Sequence, residues 1–324
     1  MYLITGVAGF VGSKTAMLCL EKGIKVVGID NLNSYYDVKI KKHRLEELKK
    51  FDDFIFEKGD IEDKIFLNSI FEKYVAFKAV INLAARAGVR YSLENPFIYA
   101  STNYSGSLTL LDLIRKFNIS KYVMASTSSI YAGAKMPYKE ESSVNKPISP
   151  YAASKKAAEL IAYTYHHQFK IDVSIVRYFT VYGPAGRPDM SVLRFIKWID
   201  EGKPIILYGD GSQARDFTFI DDIAIGTFLA TQKQLSYEII NLGGGKNPIS
   251  INVVISKIES LLNKKAVINH LPFHSADVDV TWANIDKAKK ILKWEPKISL
   301  DIGLERTVSW YMKNKSWLKD INFI

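Results

Sequence analysis

The stretch Tyr2-Leu3-Ile4-Thr5-Gly6-Val7-Ala8-Gly9-Phe10-Val11-Gly12 decides the fold. Residues 2–5 are a short apolar run of strand type, the three glycines mark a turn, and a helical pattern continues through Leu18 and Leu20 to Gly23. A second strand over 25–29 runs into Asp30. Strand, glycine-rich turn, helix, strand and acid make a βαβ unit of the kind that holds a dinucleotide. Gly6 permits the tight turn, Gly9 lets the backbone approach a pyrophosphate, and Gly12 lets the helix pack closely on the strand. The pyrophosphate then meets the helix N-terminus, where free N–H groups and the dipole favour an anion. Asp30 accepts from both ribose hydroxyls and repels a 2′-phosphate, which favours NAD over NADP.

Working outward, the alternation continues. A strand over 53–58 leads to Gly59-Asp60-Ile61, and another over 78–83 ends in Ala84-Ala85-Arg86-Ala87. A long helical stretch spans 95–116, and a buried strand over 121–125 enters Ser126-Thr127-Ser128-Ser129-Ile130-Tyr131. Ser149-Pro150 introduces a helix, and 172–177 is a further strand. This predicts an α/β fold, a Rossmann-type doubly wound parallel sheet, with ligands beyond the carboxyl ends of its strands. Asp30, Thr127 and Tyr178-Phe179-Thr180 lie at such ends. After Tyr182 the pattern loosens into a loop over 183–188, a helix to Glu201, short strands at 205–208 and 217–220, and further helices. Residues 1–177 are therefore expected to form an NAD-binding Rossmann domain, with some later segments returning to it. Residues 178–324 are expected to form a smaller α/β lobe that binds substrate.

Composition narrows the class. Of 324 residues, 48% are hydrophobic, enough for a large core. The single cysteine, Cys19, excludes an internal disulfide framework and fits a reducing compartment. No apolar run reaches the ~18 residues of a membrane span, so a cytoplasmic protein without membrane attachment is expected. The formal charge of +10 raises the question of nucleic acid. Its densest run, 39–50, interleaves the basic residues with Ile40, Leu45 and Leu48, the pattern of a solvated amphipathic helix. No nucleic-acid partner is expected, and an anionic small substrate suits the charge.

Tyr151 and Lys155 lie four apart, one above the other on a helix face, so an ammonium can favour the phenolate of a side chain that normally titrates near pH ~10. The spacing alone does not select this pair. It recurs at Tyr35/Lys39, Tyr74/Lys78, Tyr131/Lys135 and Tyr311/Lys315.

The ordered set GVAGFVG, Asp30, Gly59-Asp60-Ile61, NLAARAGV, STSSIY, SPYAASK, RYFTVYG, Ala214-Arg215-Asp216-Phe217 and Asp277 with Thr281-Trp282-Ala283-Asn284 covers essentially the whole chain. It resembles the extended short-chain dehydrogenase/reductase family and, within it, the nucleotide-sugar 4-epimerases. The resemblance selects Tyr151 among the five pairs, because it alone follows Ser-Pro and a hydroxyl-rich strand end. It implies Thr127, Tyr151 and Lys155 as the catalytic set. It also implies cofactor contacts from Gly6, Gly9, Phe10, Val11, Gly12, Asp30, Asn31, Asn33, Ser34, Asp60 and Ile61. Further cofactor contacts would come from Leu83, Ala84, Ala85, Arg86, Asn103 and Tyr178, besides Tyr151 and Lys155 themselves. In the implied reaction Tyr151 takes a proton from the C4 hydroxyl, NAD takes the hydride, and a 4-keto sugar turns over before hydride returns to its other face.

Dehydratases of this family carry an Asp-Glu pair immediately after the catalytic hydroxyl residue, and decarboxylases carry a Glu two places after it. Here Ser128 and Ser129 stand instead. Epimerases that also act at C3 and C5 place a cysteine nearby, and the only cysteine is Cys19. Simple C4 inversion is what is left. Asn31–Asp37 and YGPAGRPDM resemble the uronic-acid epimerases, which implies Arg187, with Ser128, Ser129 and Thr180, around a substrate carboxylate. Thr127, Tyr151 and Arg86 would contact the sugar as well. This favours UDP-glucuronate over UDP-glucose. Arg215 would bind the diphosphate and Asp277 the nucleotide ribose. Ala276 stands where the family often has glycine, His274 where it commonly has arginine or glutamine, and Thr281 where some members have tyrosine. The last leaves a UDP-N-acetylhexosamine substrate open. Asp221-Asp222 reads as a helix cap, and His166-His167 as no metal site, since adjacent residues do not share a helix face. A homodimer through a four-helix bundle is implied, and Leu160, Ile161 and Tyr165 fit either that interface or ordinary core packing.

Overall fold

The computed structural model describes residues 1–274 and 277–323. Ala276, singled out above, lies outside them. The first half alternates as β1 (Tyr2–Thr5), α1 (Phe10–Glu21), β2 (Val26–Asp30), α2 (Val38–Leu48), β3 (Phe54–Lys58), α3 (Lys64–Lys73) and β4 (Ala79–Asn82). Helices α4 (Val89–Glu94) and α5 (Pro96–Tyr99) lead through a π-helical stretch, Ala100–Ser105, into α6 (Gly106–Lys116). Next come β5 (Lys121–Thr127), α7 (Pro150–Phe169), β6 (Asp172–Tyr178), β7 (Thr180–Tyr182), α8 (Ser191–Glu201) and β8 (Ile205–Tyr208). The chain continues with β9 (Ala214–Arg215), β10 (Phe217–Phe219), α9 (Ile220–Gln232), β11 (Tyr237–Leu242) and β12 (Ile249–Ser250). It ends in α10 (Ile251–Leu262), β13 (Ile268–Leu271), α11 (Asp286–Leu292) and α12 (Leu300–Leu318).

The main sheet has the order β11-β6-β5-β4-β1-β2-β3, and every pairing in it is parallel. β1, β2, β4 and β5 are buried along their whole lengths, as continuous apolar runs must be when helices cover both faces. The strand order reverses between β1 and β4, which opens the crevice at their carboxyl ends where such sheets take ligands. Gly6 follows β1 with φ +68°, and a Cβ there would sit 2.6 Å from the Ala84 amide nitrogen. A Cβ at Gly12 would sit 2.0 Å from the Gly6 carbonyl oxygen, so both positions require glycine for close approach.

Several local expectations are corrected. The stretch over 95–116 is not one regular helix: Pro96 occupies a first-turn position and the ladder loosens to π geometry at Ala100–Ser105. Residues 237–242, not read as a strand, form β11 and extend the sheet beside β6. Helix α2 is not merely a solvated face. Lys41 and Arg44 are buried, and Arg44 donates to the carbonyls of Ala8, Ala185 and Gly186 and to the Tyr36 hydroxyl. Asp221 and Asp222 lie in the first turn of α9 without capping it. Asp222 accepts from the Ile298 amide at 3.0 Å, while Asp221 pairs with Lys14 at 3.0 Å and Arg306 at 3.7 Å. Among the described residues no helix is long and apolar enough to cross a membrane.

Candidate active site

A cavity of about 840 Å³ opens at the carboxyl ends of the main strands. Its floor begins at the glycine turn. Helix α1 starts after Gly9 with no side-chain cap and no acidic residue in its first turn, which leaves its N–H groups open to an anion. Asp30, at the end of β2, is buried. Its Oδ1 accepts from the Leu32 amide at 2.8 Å and its Oδ2 from the Ala8 amide at 3.2 Å, so the carboxylate is fixed facing the cavity. Asn31, Asn33, Ser34, Asp60 and Ile61 lie on the same wall, and Asn31 donates to Asp60 at 2.6 Å. Leu83, Ala84, Ala85 and Arg86 follow from β4, and Tyr178 from β6. A wall of this composition suits a dinucleotide with unphosphorylated ribose: open helix amides for the diphosphate and a fixed carboxylate for hydroxyls.

Asn103 does not belong to that wall. Its Oδ1 accepts from the Arg86 amide at 2.8 Å, and its Nδ2 donates to the Arg86 carbonyl at 3.0 Å and to Ser154 Oγ at 2.9 Å. With its amide oxygen and nitrogen engaged inside the protein, it fixes the Arg86 loop against α7.

Thr127, Tyr151 and Lys155 line the same cavity and come from two elements, the end of β5 and the first turns of α7. Ser149 caps α7 by accepting from the Ala152 amide at 3.2 Å, and Pro150 starts it, so the Ser-Pro pair sets where Tyr151 emerges. Thr127 and Lys155 are buried. Burial pushes the Tyr151 phenol above its ordinary value, and the Thr127 hydroxyl and Arg187 guanidinium pull it part of the way back. Burial lowers Lys155 to about 8, against the opposing pull of Glu159 one turn along the helix. This is a hydroxyl, a phenol and an amine with perturbed titration in one cleft, a set suited to moving a proton.

Ser128, Ser129 and Thr180 line the cavity beside this set, and the Thr127 hydroxyl donates to Ser129 Oγ at 3.1 Å. Arg187 lines it as well, but its guanidinium is already held: Nε lies 3.0 Å from Asp189 Oδ1 and Nη2 2.5 Å from Oδ2. Arg187 and Asp189 thus form a fork-shaped pair on the cavity wall. Arg215, whose Nη1 donates to the Ala214 and Asp279 carbonyls, and Asp277 lie on the cavity wall too. Wall residues that were not assigned a role from the sequence include Asp189, Arg90, Tyr208 and Lys41, whose ammonium lies 3.6 Å from Asp30. Arg90 directly follows the quoted NLAARAGV run, and only the fold shows that it meets Asp277. Among the described residues no group of three or more His, Cys, Asp and Glu could hold a metal, and His166 Nδ1 lies 2.8 Å from the Ile171 carbonyl.

A profile of the GDP-mannose 4,6 dehydratase family matches residues 3–307. The chain is 59% identical over 320 residues to a UDP-glucuronate 4-epimerase of Thermodesulfobacterium geofontis, spanning 99% of this chain and 98% of that one. It is similar to the crystal structure of UDP-glucuronic acid 4-epimerase from Bacillus cereus in complex with UDP-glucuronic acid and NAD, with TM-score 0.90 and 36% identity over 97% of this chain and 99% of that one. It is also similar to a UDP-glucose 4-epimerase with UDP-glucose from Thermotoga maritima, with TM-score 0.87 and 29% identity over 97% and 99% of the two chains.

Proposed function

The chain belongs to the extended short-chain dehydrogenase/reductase family described by the GDP-mannose 4,6 dehydratase profile, and from that premise we propose that it converts UDP-glucuronate to UDP-galacturonate. It is an NAD-dependent UDP-sugar 4-epimerase. The observation that carries the finer reading is one wall on which Ser128, Ser129, Thr180 and Arg187 surround the Thr127/Tyr151/Lys155 set, with no carboxylate at positions 128 and 129.

The α1 amides, Asp30 and the Leu83–Arg86 segment would hold NAD, which would supply a hydride acceptor restored at the end of each cycle. The chain's own residues do the rest. Tyr151 takes the proton from the C4 hydroxyl and later returns it, Thr127 orients that hydroxyl and the carbonyl it becomes, and Lys155 favours the phenolate. Ser128, Ser129, Thr180 and Arg187 hold the C5 carboxylate. Because Asp189 already neutralises Arg187 and the serines are uncharged, the carboxylate is bound without an acid–base group that would promote its loss. Arg86 contacts the sugar, Arg215 the diphosphate, and Asp277 the uridine ribose.

Residues 1–177, joined by later segments such as β11, form the cofactor domain in this reading, and 178–324 the substrate lobe. Exposed Leu160 and Tyr163 on α7 and Phe97 on α5 support a homodimer built from the α5–α6 and α7 helices, in a cytoplasmic enzyme. Ile161 and Tyr165 pack instead on the protein's own core. Thr281, a small residue on the cavity wall, supports UDP-N-acetylhexosamine as the alternative substrate, with UDP-glucose/UDP-galactose the other.

The test is to incubate the protein with UDP-glucuronate, UDP-glucose and UDP-N-acetylglucosamine without added NAD and resolve the products. UDP-galacturonate as the main product upholds the reading. Exchange of UDP-glucose and UDP-galactose alone overturns the substrate but keeps the reaction. Released CO₂ or a stable 4-keto-6-deoxy sugar overturns the epimerase reading in favour of a decarboxylase or dehydratase.

A further inference from the structure

Arg44, on α2, is a buried cation whose hydrogen bonds go to neutral oxygens. Nη1 donates to the Ala8 carbonyl and to the Tyr36 hydroxyl, both at 2.9 Å. Nε and Nη2 donate to the Ala185 carbonyl at 3.0 and 2.8 Å, and Nη2 also to the Gly186 carbonyl at 3.0 Å. All five guanidinium donors are used in this way. A buried charge is unfavourable where an apolar side chain would pack as well, so what these bonds join is the question.

They join two loops of the site. Ala8 stands in the glycine turn at the head of α1, and its amide is taken by Asp30. Ala185 and Gly186 lead directly into Arg187. Ala185 has φ +53°, a left-handed backbone that a non-glycine residue keeps only when its surroundings hold it, and two Arg44 donors sit on its carbonyl. The far end of the same loop meets the same side of the cleft. The Tyr35 hydroxyl lies 3.5 Å from Asp189 Oδ2, and the Arg187 guanidinium lies 5.9 Å from the centre of the Tyr35 ring. Residues 185–189 are thus held at both ends by residues 35–44, which follow Asp30.

We infer that Arg44 is a positioning residue that sets Arg187 against the glycine turn, so that the substrate carboxylate is anchored in the frame of the cofactor. This rests on the reading of Arg187 as the cation for that carboxylate. Hydride transfer at C4 is sensitive to misplacement by about 1 Å, and the neighbouring carbon, C5, bears the carboxylate. Arg44 touches neither the sugar nor the cofactor in this scheme and acts only through the loop that carries Arg187.

The experiment compares wild type, Arg44→Met and Arg44→Lys, each also combined with Arg187→Ala, after circular dichroism confirms folding. kcat and KM are measured with UDP-glucuronate and UDP-glucose, and binding of both sugars by calorimetry in a Tyr151→Phe background. Arg44→Met should lower the ratio of kcat/KM for UDP-glucuronate over UDP-glucose by about tenfold or more, with the affinity ratio falling in the same direction. Arg44→Lys, which keeps the charge but not the fork, should fall between, and it carries the test if Arg44→Met does not fold. With Arg187→Ala already present, either substitution should leave the ratio within about twofold, because the group it positions is gone. Equal losses for both sugars would overturn the inference by making Arg44 purely structural. A fall in the ratio that persists undiminished in Arg187→Ala would overturn it by sending the effect through another group. A wild-type protein that does not act on UDP-glucuronate would overturn the uronate reading itself, and this inference with it, before any variant is compared.

Discussion

Glu159 and Arg177 meet inside the protein as a two-pronged pair, Oε1 to Nε at 2.9 Å and Oε2 to Nη2 at 2.7 Å, with both side chains 1% exposed. Glu159 also accepts from Ser126 Oγ at 2.6 Å, next to Thr127, and sits one turn past Lys155 on α7. The pair therefore joins the helix carrying Tyr151 and Lys155 to the two strands on which Thr127 and Tyr178 end. Removing one partner leaves a buried charge uncompensated, which costs about 3–5 kcal/mol. Glu159→Gln is expected to lower the urea midpoint by a corresponding amount, measured by circular dichroism. An unchanged midpoint would show that the pair does not hold these elements together.

The proton-transfer set makes a prediction about pH. Burial raises the Tyr151 phenol, so it is protonated at neutral pH, and turnover that needs its phenolate falls as pH falls. The Thr127 hydroxyl lowers that titration, so Thr127→Val should move the acidic limb of the kcat/KM profile to higher pH, and Thr127→Ser should restore it. Tyr151→Phe should reduce turnover by at least about 10²–10⁴ while UDP-sugar binding survives. A limb that stays in place in Thr127→Val would exclude this role for the hydroxyl.

How much of this was legible in the sequence follows from the range of the interactions. The βαβ unit is written locally: apolar runs, three glycines and Asp30 within thirty residues. So is the start of α7, where Ser149 and Pro150 act within one turn of Tyr151. Most of what escaped reading depends on residues distant in sequence or on the course of a loop. Arg44 looks like one more surface cation of α2 until the loop at Ala185 and Gly186 supplies its acceptors. Asp189 looks like a loop acid, and only the turn of that loop brings it onto Arg187. Asn103 carries the right chemistry for a ligand contact, but the π-helical stretch turns its amide onto Arg86. β11 was not read although Gly243-Gly244-Gly245 directly follows it, and it gains its place by pairing with β6.

Asp189 also has a consequence for specificity. Burial pushes its carboxyl up, but the Arg187 guanidinium outweighs this and holds it below the usual carboxylate range. The pair thus stays ionised through the working pH range, with the fork of Arg187 aimed by Asp189. Arg187→Ala is expected to reduce kcat/KM for UDP-glucuronate about ten- to hundred-fold more than for UDP-glucose, since only the uronate offers a carboxylate to the lost donor. Asp189→Asn should shift the same ratio in the same direction by a smaller factor. Competition assays with the two sugars check both, and an equal loss for both sugars would assign the pair a purely structural role.

Lys155 links protonation to stability. Its amine is lowered to about 8 by burial, whereas an unfolded lysine titrates near pH ~10.4. Between these values the unfolded chain binds a proton that the folded chain does not, so this group adds stability as pH rises through that window. Below pH ~8 both states are charged and the burial penalty is fully present. In NAD-free protein, wild type should therefore gain stability relative to Lys155→Met from pH 8 to 10, by denaturant titration at each pH. A difference that does not vary with pH would mean the amine is not held in that state.

The cofactor end makes the last prediction. Asp30 faces the cavity with both oxygens steadied by backbone amides, and the buried Lys41 ammonium lies 3.6 Å from Oδ1. In this arrangement the carboxylate is what repels a 2′-phosphate, while the lysine beside it would attract one. Asp30→Ser removes the repulsion and leaves Lys41 without its counter-charge. Preference for NAD over NADP should drop by about tenfold or more, through weaker NAD binding and stronger NADP binding together. Adding Lys41→Ala should abolish the gain for NADP without restoring NAD. Fluorescence titration of both dinucleotides reads each term. If Asp30→Ser weakens NAD and NADP alike, Lys41 takes no part in cofactor choice, and Asp30 acts through its hold on Ala8 and Leu32.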